Sequence, residues 1–154
     1  MEFTTSDGYQ VIVDDEYFGW ISSSVWRLSE SGYVVRSAPT KPIRWDDVAL
    51  HRLLVPQANE MFVDHVNGNR LDNRKVNLRK ADRWQNLANT SKAWGTSDYR
   101  GVSWHKGEER WHARISHYGE RLWLGSYATE VEAAKAYNDK AIELWGDFAG
   151  LNPV

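Results

Sequence analysis

Residues 63–89 read VDHVNGNRLDNRKVNLRKADRWQNLAN. Asp64 and His65 stand side by side, and two asparagines follow at Asn77 and Asn86. Asp64 offers a hard oxygen ligand for a divalent cation, His65 a base that titrates near neutrality, and Asn86 a neutral oxygen that protonation cannot remove. Together these are the parts of a one-metal site that cleaves phosphodiesters. Singly they say less, because asparagines cap turns and an aspartate often braces a loop.

The same stretch predicts its own scaffold. MFVDH (61–65) has the look of a strand that stops at NGN, and NLRK (77–80) is a second short strand. Asp82 followed three residues later by Gln85 is a capping-box variant, which predicts a helix through about Thr90. The order is strand, loop, strand, helix. Adjacent strand residues point to opposite faces, so Asp64 and His65 serve one site only if regular pleating stops at the NGN turn. Asn86 falls early in the helix, where it is held more rigidly than a loop would hold it.

Charge is concentrated around this motif. Residues 64–92 carry seven Lys/Arg against three Asp/Glu, although the 154-residue chain has a net charge of −2. A local positive field over a cation site suits a polyanionic substrate, and its bland counterpart is a solvated charge run. With 42% hydrophobic and 26% charged residues the composition is that of a soluble globular protein of one ordinary or two small domains. The chain has no cysteine, which excludes disulfides and thiolate zinc sites and leaves packing, with nine tryptophans, to stabilise it. MEFTTSDGYQ at the start is polar, and no stretch approaches the roughly 18 apolar residues of a membrane span. An intracellular, cytoplasmic protein is expected.

Upstream of the motif, YQVIV (9–13) and GYVVRS (32–37), separated by turns such as SESG, predict a small antiparallel sheet within residues 1–44. WDDVALHRLLV (45–55) predicts a short helix with an aspartate near its start. Downstream, SKAWGTSD (91–98) reads as a short polar linker.

Three alternating runs follow, YRGVSWH, RWHARIS and RLWLGSY, separated by KGEE and HYGE as hairpin loops. Trp111, Ala113 and Ile115 share one face of the middle strand, and Leu122 and Leu124 one face of the third. Arg110, His112, Arg114, Arg121 and Trp123 take the opposite face. Thr129 and Glu132 form a capping box for an alanine-rich helix closed by Gly146. A sheet packed on one helix leaves its other face exposed, and a face of arginines and tryptophan fits a DNA major groove. The alternative is that these side chains only shield the sheet by stacking and snorkelling. His105, His112 and His117 are spaced too irregularly for a metal cluster and are expected to be surface or groove residues.

Two resemblances cover more than half of the chain. The segment from His51 to Asn89, with HRLL, VDHVNGNRLDNRKVNLR and QNLAN, resembles an HNH nuclease of the subgroup in which asparagine replaces the last histidine, as in phage intron-encoded homing endonucleases. The segment from Tyr99 to Asn152, with YRGV, RLWLGSY, EAAKAYNDKAIELWG and a terminal LN, resembles the DNA-binding domain of plant ethylene-response-factor (APETALA-type) regulators. VDDEYFGWISSSVWRLSESGYVVRS is similar to the leader of phage proteins with the same two-part build.

The first resemblance implies that Asp64 and Asn86 bind one divalent cation, Mg2+ or else Mn2+, that His65 deprotonates the attacking water, and that Asn77 orients the His65 ring. The products would be a 5′ phosphate and a 3′ hydroxyl. The second implies groove contacts from Arg100, Arg121 and Trp123, with Arg114 and Ser116 on the same surface by register. Ser103 and Ser116 replace arginines of the plant pattern, so the plant target sequence does not transfer. Arg100 shares parity with core-facing Val102, so its outward direction rests on the resemblance alone.

The reading is an α+β protein. Its nuclease domain spans residues 1–92, with the N-terminal antiparallel sheet at 1–44 and a ββα-metal motif at 61–90. A linker at 93–98 leads to a DNA-binding domain, 99–154, of three antiparallel strands on one helix. The expected function is a metal-dependent endonuclease of homing type acting on double-stranded DNA without a membrane, as a phage protein in its bacterial host, with monomer or homodimer and nicking or double-strand cleavage left open. One rival is a DNA-binding transcriptional regulator with an inactive nuclease scaffold. Another is an RNA-acting protein in which Trp94, Trp104 and Trp123 stack on unpaired bases.

Overall fold

Residues 1–40, 44–56, 61–90 and 96–154 are described by the computed structural model. They form two compact units, Met1–Asp82 and Arg83–Val154. Trp94 and residues 93–95 of the expected linker lie outside the described residues. The architecture is mixed α and β, with several small antiparallel sheets and few helices.

The first unit begins with a two-stranded sheet, β1 (Glu2–Thr4) and β2 (Gln10–Ile12). Helix α1 (Asp15–Ser22) follows, which the sequence reading did not anticipate because Gly19 and a run of aromatics weaken its propensity. Asp15 and Glu16 in its first turn suit the helix dipole, and Ile21 anchors it in the core. A second sheet then joins β3 (Arg27–Leu28), β4 (Val34–Thr40) and β5 (Arg44–Ala49) in that order. YQVIV and GYVVRS thus belong to two sheets, not one. Residues 45–49 are extended rather than helical because they pair with β4, Val35 opposite Ala49 and Arg36 opposite Val48. Only Leu50–Leu54 turns into helix, α2. Non-local pairing overrides the local pattern here.

β6 (Phe62–His65) and β7 (Leu78–Ala81) complete the unit as an antiparallel pair, with Asp64 opposite Arg79 and His65 opposite Leu78. The ladder therefore runs through both residues, so regular pleating ends only after His65, later than the shared face expected for the two requires. What links them is the Asp64 charge felt by the His65 ring. The core beneath is Val11, Val13, Ile21, Trp26, Val34, Leu50, Leu54, Val63 and Leu78. Trp26 is fully buried, and its indole N–H is satisfied by the Ile21 carbonyl at 2.8 Å.

The second unit opens with α3 (Arg83–Ala88), which stops two residues before Thr90. β8 (Val102–His105), β9 (Arg110–His117) and β10 (Glu120–Tyr127) form an antiparallel sheet with β9 in the centre. Helix α4 (Glu130–Trp145) carries the expected capping box, with the Thr129 hydroxyl accepting from Glu132 N–H and the Glu132 carboxylate accepting from Thr129 N–H. Ala133, Ala134, Tyr137 and Ala141 on α4 bury against Val102, Ala113 and Ile115. Gly101 permits this approach: its φ is +74°, and a Cβ there would lie 2.3 Å from the Tyr137 ring. Between Trp123 and Gly125 the β9–β10 register shifts at a bulge, Trp123 facing Arg114 and Gly125 facing Ala113.

Candidate active site and nucleic-acid interface

The loop between β6 and β7, residues 66–77, is short of apolar residues, so it is held by hydrogen bonds. Asn77 closes it: its side-chain oxygen accepts from Asn67 N–H at 2.9 Å and its amide donates to the Asp72 carbonyl at 2.7 Å. Asn67 and Asn69 each accept from the backbone two residues on, the Asx-turn geometry that favours asparagine. Asp72, almost fully buried, is gripped by the Arg74 guanidinium at 2.8 and 2.6 Å, which holds its carboxyl below the usual carboxylate range. β2 clamps the loop from outside, since Ile12 N–H donates to the Leu71 carbonyl and Asn73 N–H to the Ile12 carbonyl. The asparagine-rich sequence is thus a rigid support for the end of β6.

On that support His65 is 4% exposed and Asp64 6%. His65 Nε2 lies 3.4 Å from the Asn73 side-chain oxygen, and the ring packs against His51 and Tyr33 with centroids 5.3 and 6.2 Å away. Burial lowers the His65 pKa, opposed by the Asn73 hydrogen bond and then by the Asp64 charge. The neutral imidazole, the form able to accept a proton, is therefore the one favoured at neutral pH. His51 is also buried and is pushed down to about 3, chiefly by desolvation. Arg70 lies over the Tyr33 ring at 4.4 Å and donates to the Ser31 carbonyl, which adds positive charge beside the two imidazoles.

Asp64 forms an ion pair with Arg79, Nε and Nη2 both within 2.9 Å of Oδ2. A cation that takes this carboxylate shares it with Arg79 or displaces the guanidinium. Within the first unit, the buried Asp64 carboxylate is the kind of hard oxygen donor that suits a divalent ion. Sequence reasoning missed His51, Asn73, Asp72 and Arg79 as contributors here. The cross-strand position of Arg79 follows only from the register, and the contact between His51 and His65 only from the tertiary fold.

Asn86 lies on α3, within the second unit. That helix is stapled there by Gly150 N–H, which donates to the Ala88 carbonyl, and by Arg100. The Arg100 guanidinium donates to the carbonyls of Leu87, Ala88 and Thr90, and its backbone is bracketed by the Asn152 side chain. Most of its donors are therefore spent inside the unit.

Arg100, Ser103, Arg114, Ser116 and Arg121 nonetheless line one groove of about 440 Å³, floored by Val102, Ile115 and Tyr137. Trp123 stands directly opposite Arg114 in the register, with the Arg114 guanidinium 5.3 Å from its ring, and is half exposed. Five of the six sequence-selected residues thus line this groove, and Trp123 adjoins it only through Arg114. Trp104 is partly exposed with its ring edge-on to Trp111 at 5.2 Å.

The same face corrects the reading of the histidines. His105, Glu108 and His112 each place one potential ligand atom within 4.8 Å of the others. Ser103 pairs with His112 across β8 and β9, so His105, two residues on, is the diagonal neighbour of His112 on one face. Linear spacing conceals this. His112 is buried although it points outward, because His105 stacks on it at 4.4 Å and Trp123 meets it edge-on at 4.6 Å. His117 lies apart, against Tyr118 and Trp145.

No protein-family model matches the chain. An HNH endonuclease of Acanthamoeba polyphaga mimivirus is 31% identical over 144 residues, which cover 87% of this chain and 70% of its own. The chain belongs to the HNH endonuclease family. An AP2-like ethylene-responsive transcription factor of Arabidopsis thaliana is 50% identical over 62 residues, 39% of this chain and 17% of its own, and one of Oryza sativa subsp. japonica is 45% identical over 62 residues, 39% of this chain and 9% of its own. The chain thus spans less than a fifth of these plant relatives. The two likenesses match the two-part build expected from sequence.

Proposed function

We propose that the protein is a metal-dependent DNA endonuclease of homing type, in which an HNH site hydrolyses phosphodiester bonds and the sheet of the second unit directs it along double-stranded DNA. The observation that carries this reading is a buried imidazole biased toward its neutral form beside a buried carboxylate, in a chain of the HNH family. His65 takes the proton of the attacking water, the new bond forms at phosphorus, and the bond to the 3′ oxygen breaks, leaving a 5′ phosphate and a 3′ hydroxyl. Asn77 acts by holding the loop that carries the end of β6. Asp64 and, on the family resemblance, Asn86 would hold one divalent cation, Mg2+ or Mn2+. When bound, the cation supplies charge neutralisation at the phosphate and the departing oxygen. On the outer face, Arg114, Arg121 and Trp123 contact the duplex together with Ser103 and Ser116, and Arg100 orders the groove from within.

The Asp64–Arg79 ion pair favours a second reading, a DNA-binding regulator whose nuclease part is a scaffold, because the carboxylate charge is already compensated. Supercoiled plasmid incubated with the protein and Mg2+, with and without chelator, separates the two. Chelator-sensitive nicking or linearisation supports the nuclease, and binding without any cleavage over a range of plasmid sequences refutes it. Arg121→Ala is expected to weaken duplex binding and to reduce the salt dependence of log K by about one unit of slope.

A further inference from the structure

The outer face of the second unit holds a donor set that the nuclease reading does not use. His105 ends β8, Glu108 sits in the hairpin loop and His112 lies on β9. His112 Nε2 is 2.9 Å from Glu108 Oε2, and His105 Nδ1 is 3.7 Å from Glu108 Oε1. We infer that these three side chains form a binding site for a transition-metal ion of the zinc class.

Two imidazoles and one carboxylate suit Zn2+, Co2+ or Ni2+ far better than Mg2+, which prefers all-oxygen ligands. The site also has the usual division between fixed and adjustable ligands. His112 is buried and its ring is clamped between His105 and Trp123, so its direction is set before any ion arrives. His105 and Glu108 are each about half exposed. They are free to draw in toward donor separations of about 3.3 Å, the spacing that metal–ligand bonds near 2.0–2.2 Å impose.

Backbone geometry keeps Glu108 over the sheet. Glu109 takes a left-handed conformation, φ +50°, which turns the hairpin back, and Glu108 N–H donates to His105 Nδ1 at 3.1 Å. That bond either opens or leaves Nε2 as the ligand after a half-turn of the exposed ring. The hydrogen bond from His112 holds the Glu108 carboxyl below its ordinary range, and Ser126 Oγ approaches Glu108 Oε2 at 3.4 Å. A fourth coordination position is left to water. A plain hairpin clasp would need only the pair Glu108–His112, and His105 stacked beside it is the third donor that a clasp does not require.

The test is isothermal titration with ZnCl2 of the full chain carrying Asp64→Asn, which removes the carboxylate of the other cation site, after chelator treatment and dialysis. Uptake of one Zn2+ per chain is expected, weakened at least about tenfold by His105→Ala and by Glu108→Gln in the same background. Both variants change exposed groups, and circular dichroism confirms their folding. Absence of stoichiometric uptake, or an affinity unchanged by either variant, overturns the site. Because the readout is metal binding, the result is independent of whether the chain cleaves or binds DNA.

Discussion

In the first unit the side chains that bear chemistry are buried, and hydrogen bonds to a loop hold them there. In the second, the side chains proposed to read DNA stand on the open face of a regular sheet, over a core of Val102, Ile115, Tyr137 and alanines. Asp64, His65 and Asn77 are each 6% exposed or less, whereas Trp123 is 52% exposed and Arg114 and Arg121 rim an open groove. A general base needs a perturbed environment and a fixed position, so its site is bound up with the stability of its loop. A reading face needs reach and charge, which a rigid platform supplies without burying anything. Substitutions should therefore separate function from stability in the second unit and couple them in the first.

The largest effect that would break this contrast is on cleavage. His65→Ala should lower the cleavage rate by about 10²–10⁴-fold while duplex binding stays close to wild type. Single-turnover cleavage beside a gel-shift titration checks both, and a wild-type rate would remove His65 from the role of base. Gly101→Ala tests the platform: an αL position plus contacts of 2.3 Å to Tyr137 and 2.4 Å to the Arg114 carbonyl should cost more than about 3 kcal/mol. Chemical denaturation is expected to show the second unit lost at lower urea than in wild type.

Acid sharpens the contrast further. His51 falls from 6.5 to about 3 on folding, so the unfolded chain binds more protons between these values. This contribution to stability is complete above about pH 6.5 and declines as pH falls toward about 3. His65 is shifted in the same direction. Urea midpoints followed against pH should thus fall on acidification, and less steeply in His51→Gln. The smallest effect is expected at Thr129→Ala, which removes one capping hydrogen bond from α4 and should cost about 1 kcal/mol by denaturation, without altering cleavage of saturating substrate.

Local rules made the second unit legible from sequence. Alternation over Arg110–His117, the capping box at Thr129 and the glycine after Trp145 each name a structure with few competitors. The strands of the nuclease motif and the turn at NGN were equally readable. Residues 45–49 were not, because what decides them is pairing with the preceding strand β4, from Pro39 opposite Trp45 to Val35 opposite Ala49. The helix at Asp15–Ser22 lacked a periodic signal strong enough to outweigh Gly19.

What the linear sequence determined on its own was the inventory: which residues carry an ionisable or ligating group, which stretches alternate, and which family pattern they follow. Only the tertiary structure decided the partners. It set Arg79 on Asp64, His51 against His65, the Arg100 guanidinium among the helix carbonyls, and His105 with Glu108 beside His112. The reason is physical: chain periodicity fixes which way a side chain faces, but strand register and long-range packing decide what stands opposite it.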